Sequence, residues 1–402
     1  MTARNRPATD DASSRPEDVR TAFRLYARTL PGLEHLLAEE ASRKSRSAHA
    51  VVAKGRIDVG PLTLDPAWRR LLVCDALCLV VRRAAGRFTG RQGLAEVRGK
   101  LSRTAFDRHL ACLRGLGLPV AGTFRLRVSV APACGFAFFD VLREGLPIVE
   151  RRLGLRATEG PADLLVDLEC LPDELTIGLA LPLADWAHPP GKRLPRSLAG
   201  ALLYLARPAP HVAVCDPDCG SGELLQAWRS TTGSGRPLGL TLPRRRQDPT
   251  SAGVPTAVAS PRSWPVADGR LSRIISALPR VASAPQLAHV LDEASRCLAV
   301  GGRAAMATTL TEAWHAAVAS QPGLVLEREV RVHMAGRPLD VIVLARQPGA
   351  RRHRTPVTAG DRARAARRLV GAAGRPPRRP RRGQGATKKR SRPRRPGRAA
   401  LS

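Results

Sequence analysis

Between Arg196 and Arg346 the chain alternates strand-like and helix-like segments, and this alternation restricts the fold more than any other feature. "RSLAGALLYLA" has helical apolar spacing, "HVAVCD" reads as a strand and "GELLQAWRS" as a helix. "RPLGLTL" and "VPTAVA" are strands. "RLSRIISAL" is a strand, "APQLAHVLDEASRCLAV" a helix, "GRAAMATT" a strand and "LTEAWHAAVAS" a helix. Strands joined through helices lie parallel, so the pattern predicts a doubly wound α/β sheet. "LVLEREVRVH" and "PLDVIVLAR" flank Ala335-Gly336 and predict a closing antiparallel hairpin. The ligand of such a sheet belongs outside the carboxyl ends of the strands, at the point where strand order reverses.

The first strand of this half runs into "CDPDCGSGELLQAW". Glycines after a first strand let backbone approach a ligand that side chains would exclude. The helix behind them offers free N–H groups and a positive dipole end. Two ligands fit such a turn, a dinucleotide and S-adenosylmethionine. The dinucleotide fingerprint needs a third glycine, and after Gly220-Ser221-Gly222 its place is held by Leu225.

The first half reads as α+β. "FRLYARTL" is a strand, "PGLEHLLAEEASRKS" a helix with Pro31 near its start, and "GRIDVG" a strand. "PAWRRLLVCDALCLVVRRAAGRF" reads as a helix running into a strand, "RTAFDRHLACLRGLG" as an amphipathic helix and "GTFRLRVSVA" as a strand. "VLREGLPIVERRLGL" is helical and "ADLLVDLECLPDELTIGLAL" a hairpin. The expectation is helices interleaved with strands over small sheets. "LADWAHPPGKRLPRS" shifts to Pro, Gly and basic residues and reads as a linker. Both chain ends are polar or low in complexity and are expected to be disordered.

The net charge is +32, and the segment from Arg351 onward holds +18 of it, with 19 Lys and Arg against the single acid Asp361. The remainder is basic as well, so a polyanion is the expected partner, with nucleic acid foremost. A plain arginine bias in composition would give the same count. The eight cysteines include two pairs at C-x-x-x-C spacing, Cys74/Cys78 and Cys215/Cys219. Zinc sites favour C-x-x-C pairs with a matching second pair, so buried reduced thiols and no metal are expected. The first pair sits in a helix-like apolar run. No apolar leader opens the chain, and "LLVCDALCLVV" is broken by Asp75, so a cytoplasmic protein without membrane association or an obligate protein partner is expected.

"DPDCGSGELLQAW" resembles the first motif of class I RNA methyltransferases, and "KRLPRSLAGALLYLA" is similar to their lead-in helix. "RLYARTLPGLEHLLAEE" resembles the opening of THUMP-containing guanosine methyltransferases, and "RRLLVCDALCLVVRRAAGRF" and "VDLECLPDELTIGLAL" are similar to later parts of that module. "LDEASRCLAVGGRAAMATT" and "VRVHMAGRPLDVIVLAR" resemble the end of the methyltransferase sheet. The resemblance implies residues 1–20 disordered, a ferredoxin-like plus THUMP RNA-binding module over 21–185, a linker at 186–195, a Rossmann-like methyltransferase domain over 196–347 and a disordered basic tail over 348–402. It implies S-adenosylmethionine as cofactor, held by Asp216, Pro217, Cys219, Gly220, Ser221 and Gly222. It further implies RNA, most often tRNA, as partner and the N2 amine of guanosine as methyl acceptor.

Four positions depart from the family pattern. Thr241 stands where an acid would hold the ribose hydroxyls, and Ser260 where an acid would bind the adenine amine; Asp268 could belong to a turn. In "IISALPR" the catalytic positions are Ala277, Leu278, Pro279 and Arg280, so Ala277 replaces the amide or carboxylate acceptor and Arg280 the stacking ring. One such acceptor is worth roughly 10²–10⁴ in rate. Strand alternation turns Ser276 to the face opposite Ala277. Two functions of different class follow: an active S-adenosylmethionine-dependent RNA methyltransferase with an atypical site, and a catalytically weak RNA-binding relative acting as an adaptor. An acid or amide near Asp216 and Asp218 favours the first, and an apolar wall at Ala277 the second.

Overall fold

The computed structural model describes residues 23–44, 50–62, 66–120, 122–183, 194–241, 254–278 and 283–348. The expected disordered ends and most of the expected linker lie outside the described residues.

The first half runs β1 (Phe23–Arg28), α1 (Glu34–Lys44), β2 (Ala50–Ala53), β3 (Arg56–Leu62), β4 (Ala76–Ala85), α2 (Gly90–Ser102), α3 (Asp107–Gly115), β5 (Thr123–Val130), α4 (Phe138–Leu153), β6 (Arg156–Ala157), β7 (Leu164–Cys170) and β8 (Glu174–Leu181). The small sheets expected from the sequence are in fact one eight-stranded sheet of order β2-β3-β1-β4-β8-β7-β5-β6. The antiparallel pairing of β4 with both β1 and β8 joins the two parts. Neither pairing partner of β4 is its sequence neighbour, so local pattern could not show it.

The run read as a helix before β4 is a short 3-10 turn, Pro66–Arg70, and Cys78 lies on the strand itself. "ALCLVVRR" is rich in residues that suit a buried strand, and its pairing on both edges overrides the helix-like spacing upstream. Burial pushes the Cys78 thiol up to about 12, as befits a buried reduced thiol. One helix had no counterpart in the sequence reading. Helix α2, "GRQGLAEVRGKLS", carries three glycines and few apolar residues, and it is held by packing on α4.

Strand β1 shows the period of two that builds this sheet. Leu25 and Ala27 enter the main core, while Tyr26 and Arg28 take the other face. The Tyr26 ring crosses Gly178, where a Cβ would stand 2.7 Å from its hydroxyl. That hydroxyl donates to Asp167 at 2.5 Å, Arg127 donates to the same carboxylate at 2.6 Å, and Arg28 pairs with it at 2.9 Å. Burial raises the Asp167 carboxyl, but the bond from Arg127 and the charges of Arg28 and Arg127 outweigh it and hold the group below its ordinary range.

The second half runs α5 (Arg196–Ala206), β9 (Ala213–Asp216), α6 (Glu223–Thr232), β10 (Arg236–Thr241), β11 (Thr256–Val258), β12 (Leu271–Ala277), α7 (Ala284–Cys297), β13 (Leu298–Thr308), α8 (Ala313–Ala319), β14 (Leu324–Met334) and β15 (Arg337–Arg346). Its seven-stranded sheet has the order β11-β10-β9-β12-β13-β15-β14. The strands from β11 to β13 are parallel, and β15 and β14 close the sheet antiparallel. Ala335 and Gly336, at φ 50° and 77°, make the tight turn between them. The chain steps outward from β9 to β10 and β11, then crosses back to β12, so the order reverses between β9 and β12.

Helix α5 ties the two sheets together. A Cβ on Gly200 would lie 1.9 Å from the carbonyl oxygen of Leu72, so only glycine permits this approach. At the helix start the N–H and hydroxyl of Ser197 donate to Asp75 at 2.7 and 2.6 Å. The apolar core runs without a break from the first sheet through α5 to Ile275, Ala305 and Val343 on the second. A further core of Trp264, Leu287, Leu291 and Trp314 fills the opposite face.

Candidate functional site

Two turn glycines shape the site. Gly220 and Gly222 have φ of 52° and 79°, a region that L side chains rarely adopt. The N–H of Gly222 closes the turn on the carbonyl of Cys219 at 2.7 Å, and the N–H of Cys219 bonds the carbonyl of Leu240 at 3.0 Å, fixing the turn to β10. Gly239 makes room for Cys219, since a Cβ there would meet its Sγ at 2.8 Å. The other cysteine of the pair, Cys215, is fully buried, and burial pushes its thiol well up. Among the described residues no group of three or more His, Cys, Asp or Glu could hold a metal ion.

Asp216 ends β9 at the point where strand order reverses. It is 2% exposed, and its Oδ1 accepts from the Ser276 hydroxyl at 2.7 Å and from the N–H of Asp218 at 3.1 Å. Ser276 thus faces Asp216 rather than a ligand, and its bond locks β9 to β12 beneath the turn. Ala277, the next residue, faces a cavity of about 310 Å³. Asp216, Asp218, Cys219, Gly220, Ser221 and Glu223 line one side of it. Glu223 opens α6, and its carboxylate accepts from the N–H of Leu194 at 3.3 Å.

The opposite wall was not legible in the motif. Leu194, Pro195 and Leu198 come from the start of α5, Ala307 from β13, and Met334 and Leu339 from the closing hairpin. The resemblance of the lead-in helix was the one sequence signal toward part of this wall. Around Ala277 the wall is apolar, formed with Ala307, Met334 and Leu339. The N–H of Leu278 bonds the carbonyl of Ala307 at 2.7 Å, and its side chain is buried in the core behind the cavity.

The remaining expected site residues are not all gathered here. Pro217, Gly222 and Leu278 stand next to lining residues without lining the cavity themselves. Thr241 ends β10, and Ser260 follows β11, bridging to Ser263; neither lines the cavity. Asp268 pairs with Arg296 at 2.7 Å in the turn before β12, which accounts for it structurally. Pro279 and Arg280 lie outside the described residues.

No protein-family model and no curated protein matches the chain. Solved structures do. TrmN from Thermus thermophilus is 24% identical, with a TM-score of 0.58, over 81% of this chain and 99% of that one. A possible methylase from Clostridium difficile 630 is 13% identical, with a TM-score of 0.54, over 83% and 100%. SMU.472, solved complexed with SAH, is 12% identical, with a TM-score of 0.56, over 81% and 98%. The likeness establishes the fold. It is a Rossmann-like, class I methyltransferase sheet with an antiparallel closing hairpin, preceded by an α+β module of the ferredoxin-like/THUMP kind. Among the described residues no helix is long and apolar enough to cross a membrane.

Proposed function

We propose that the chain is an S-adenosylmethionine-dependent RNA methyltransferase whose target is the N2 amine of a tRNA guanosine. The observation that carries this reading is the Asp216–Glu223 turn opening into a cavity at the carboxyl ends of β9 and β12, where strand order reverses. The lining fits the cofactor. Asp216, Asp218 and Glu223 suit a ligand with an ammonium, a sulfonium and sugar hydroxyls, and Leu198, Leu224 and Met334 suit its apolar parts. When bound, S-adenosylmethionine supplies an electrophilic methyl group. The turn residues 216–222 hold it; Thr241 and Ser260, which do not line this cavity, are the positions that the resemblance gives to the ribose and adenine. The backbone beside Leu278, fixed on Ala307, keeps its place as an acceptor for the amine protons. Residues 21–185 grip RNA, residues 196–347 carry the chemistry, and the protein works in the cytoplasm.

The apolar surroundings of Ala277 favour a second reading, an RNA-binding relative with weak or no transfer. Both readings hold the cofactor turn in common, so cofactor binding is the first test. Isothermal titration of the full chain with S-adenosylmethionine should give saturable heat. A folded protein that shows none at about millimolar ligand would remove the cofactor claim. Methyl transfer to RNA then separates the two readings.

A further inference from the structure

A second cavity, of about 370 Å³, lies at the other end of α5 from the cofactor turn. Leu198 and Leu205 face the two cavities seven residues apart, about 10 Å along the helix. Its walls come from α1, the C-terminal end of α5, β13, β14 and β15, and they carry Arg43, Arg207, Arg303 and Arg328 against Glu39 and Glu327.

The acids do not neutralise it. Glu39 is taken by Arg43 and Arg328, each at 2.8 Å, and also accepts from the Tyr204 hydroxyl at 3.2 Å. Glu327 is taken by Arg303. Arg207 has no carboxylate partner among the described residues. Directly behind it Arg273 donates to the Arg207 carbonyl at 3.4 Å and pairs with Arg303 across β12 and β13. Burial first, and then the neighbouring charges of Arg303 and Arg207, lower the Arg273 guanidinium pKa. The end of α5 offsets only about half a charge, through the carbonyls that Arg273 and Arg303 cap.

Arg207 is also held oddly. It has φ 55°, a left-handed conformation rare for arginine, at the C-cap of α5. The residue lines a cavity already rich in guanidinium groups. Planar guanidinium forks from several elements suit a tetrahedral oxyanion that accepts many hydrogen bonds at once. The volume admits such a group with a sugar attached.

We propose that this cavity binds a phosphate group, supplied by a free phosphorylated ligand or by a nucleic-acid backbone. The proposal stands apart from the methyltransferase reading, since it requires neither cofactor nor transfer.

The test titrates the full chain with inorganic phosphate and with ribose 5-phosphate, at ionic strength matched with chloride. Wild type should bind saturably and melt at a higher temperature in phosphate. Arg207→Asn and Arg207→Asp keep a residue that tolerates the left-handed conformation. Both should melt no lower than wild type without phosphate. The first should bind phosphate about tenfold more weakly, and the second should not bind it measurably. A structured RNA separates the sources. If phosphate displaces it and Arg207→Asn lowers the salt slope by about one, the phosphate is that of a backbone. If RNA affinity is untouched while phosphate binds, the ligand is a free one. No phosphate effect beyond that of chloride, or equal phosphate binding by wild type and both variants, overturns the proposal.

Discussion

At Gly220 one added carbon decides whether the turn can form. Its φ of 52° strains any L side chain by roughly 1–2 kcal/mol, and a β-branched one suffers most. Gly220→Val should therefore abolish S-adenosylmethionine binding in titration while the far-ultraviolet circular dichroism stays that of wild type. Retained affinity would show that the turn does not touch the ligand. Asp167 makes a comparable point about the first sheet. It is fully buried between Arg28, Arg127 and Tyr26. Asp167→Asn leaves Arg127 without its carboxylate and Arg28 with Glu169 alone, and should cost about 3 kcal/mol in urea unfolding. The sign with pH follows from the depressed folded pKa. The stability Asp167 contributes is present above the ordinary carboxylate range of about 4 and is lost as pH falls through its lower folded value. The gap in melting temperature between wild type and variant should close over that acid window; a gap constant down to pH 2 would refute the linkage.

Among the elements, α5 bears on everything else, because it lines both cavities and spans both sheets. Gly200→Ala places a methyl carbon where the Leu72 carbonyl already stands. The backbone on both sides must separate, so we expect a loss of about 2–3 kcal/mol in unfolding free energy and weaker cofactor binding. An unchanged urea midpoint at unchanged slope would mean the contact is slack. The same helix shows what a sequence can and cannot tell. That α5 is a helix, that a glycine turn follows β9 and that Ala335-Gly336 closes a hairpin are local facts, and each was legible from spacing and turn residues. Why Gly200 must be glycine was not legible, since its neighbour Leu72 is far away in sequence. Helix α2 was missed because three glycines weaken its pattern while packing on α4 supplies the stability. The stretch before β4 was misread because pairing on two edges outweighs helix-like spacing. Half of the cavity at the Asp216–Glu223 turn escaped for a related reason: the motif names one wall, and Met334 and Leu339 reach the other from a hairpin more than a hundred residues later.

On the proposed function, the basic charge of the whole molecule and the site act on one RNA. The segment from Arg351 onward holds +18 of the +32 charge, and phosphate contacts release counterions. Removing residues 351–402 should weaken RNA binding broadly and lower its salt slope; equal affinity and slope would make the segment a bystander. Transfer asks more than binding. The guanosine amine needs an acceptor for its protons and a platform for its base. Ala277 faces the cavity with a methyl group, among Ala307, Met334 and Leu339, and the family resemblance puts Arg280 where a ring would stack. We therefore expect slow transfer to bulk tRNA from wild type, measured as tritiated methyl incorporation into tRNA from a host lacking the modification. Ala277→Asn together with Arg280→Phe supplies both missing groups, and the smaller cavity still opens on the Asp216–Glu223 turn. If the site is a weakened form of the family's, the double variant should be several-fold faster, which corresponds to about 1 kcal/mol off the barrier. Rapid wild-type turnover that the double variant destroys would mean instead that the base is held by another acceptor and in another pose, with the apolar wall at Ala277 serving as its seat.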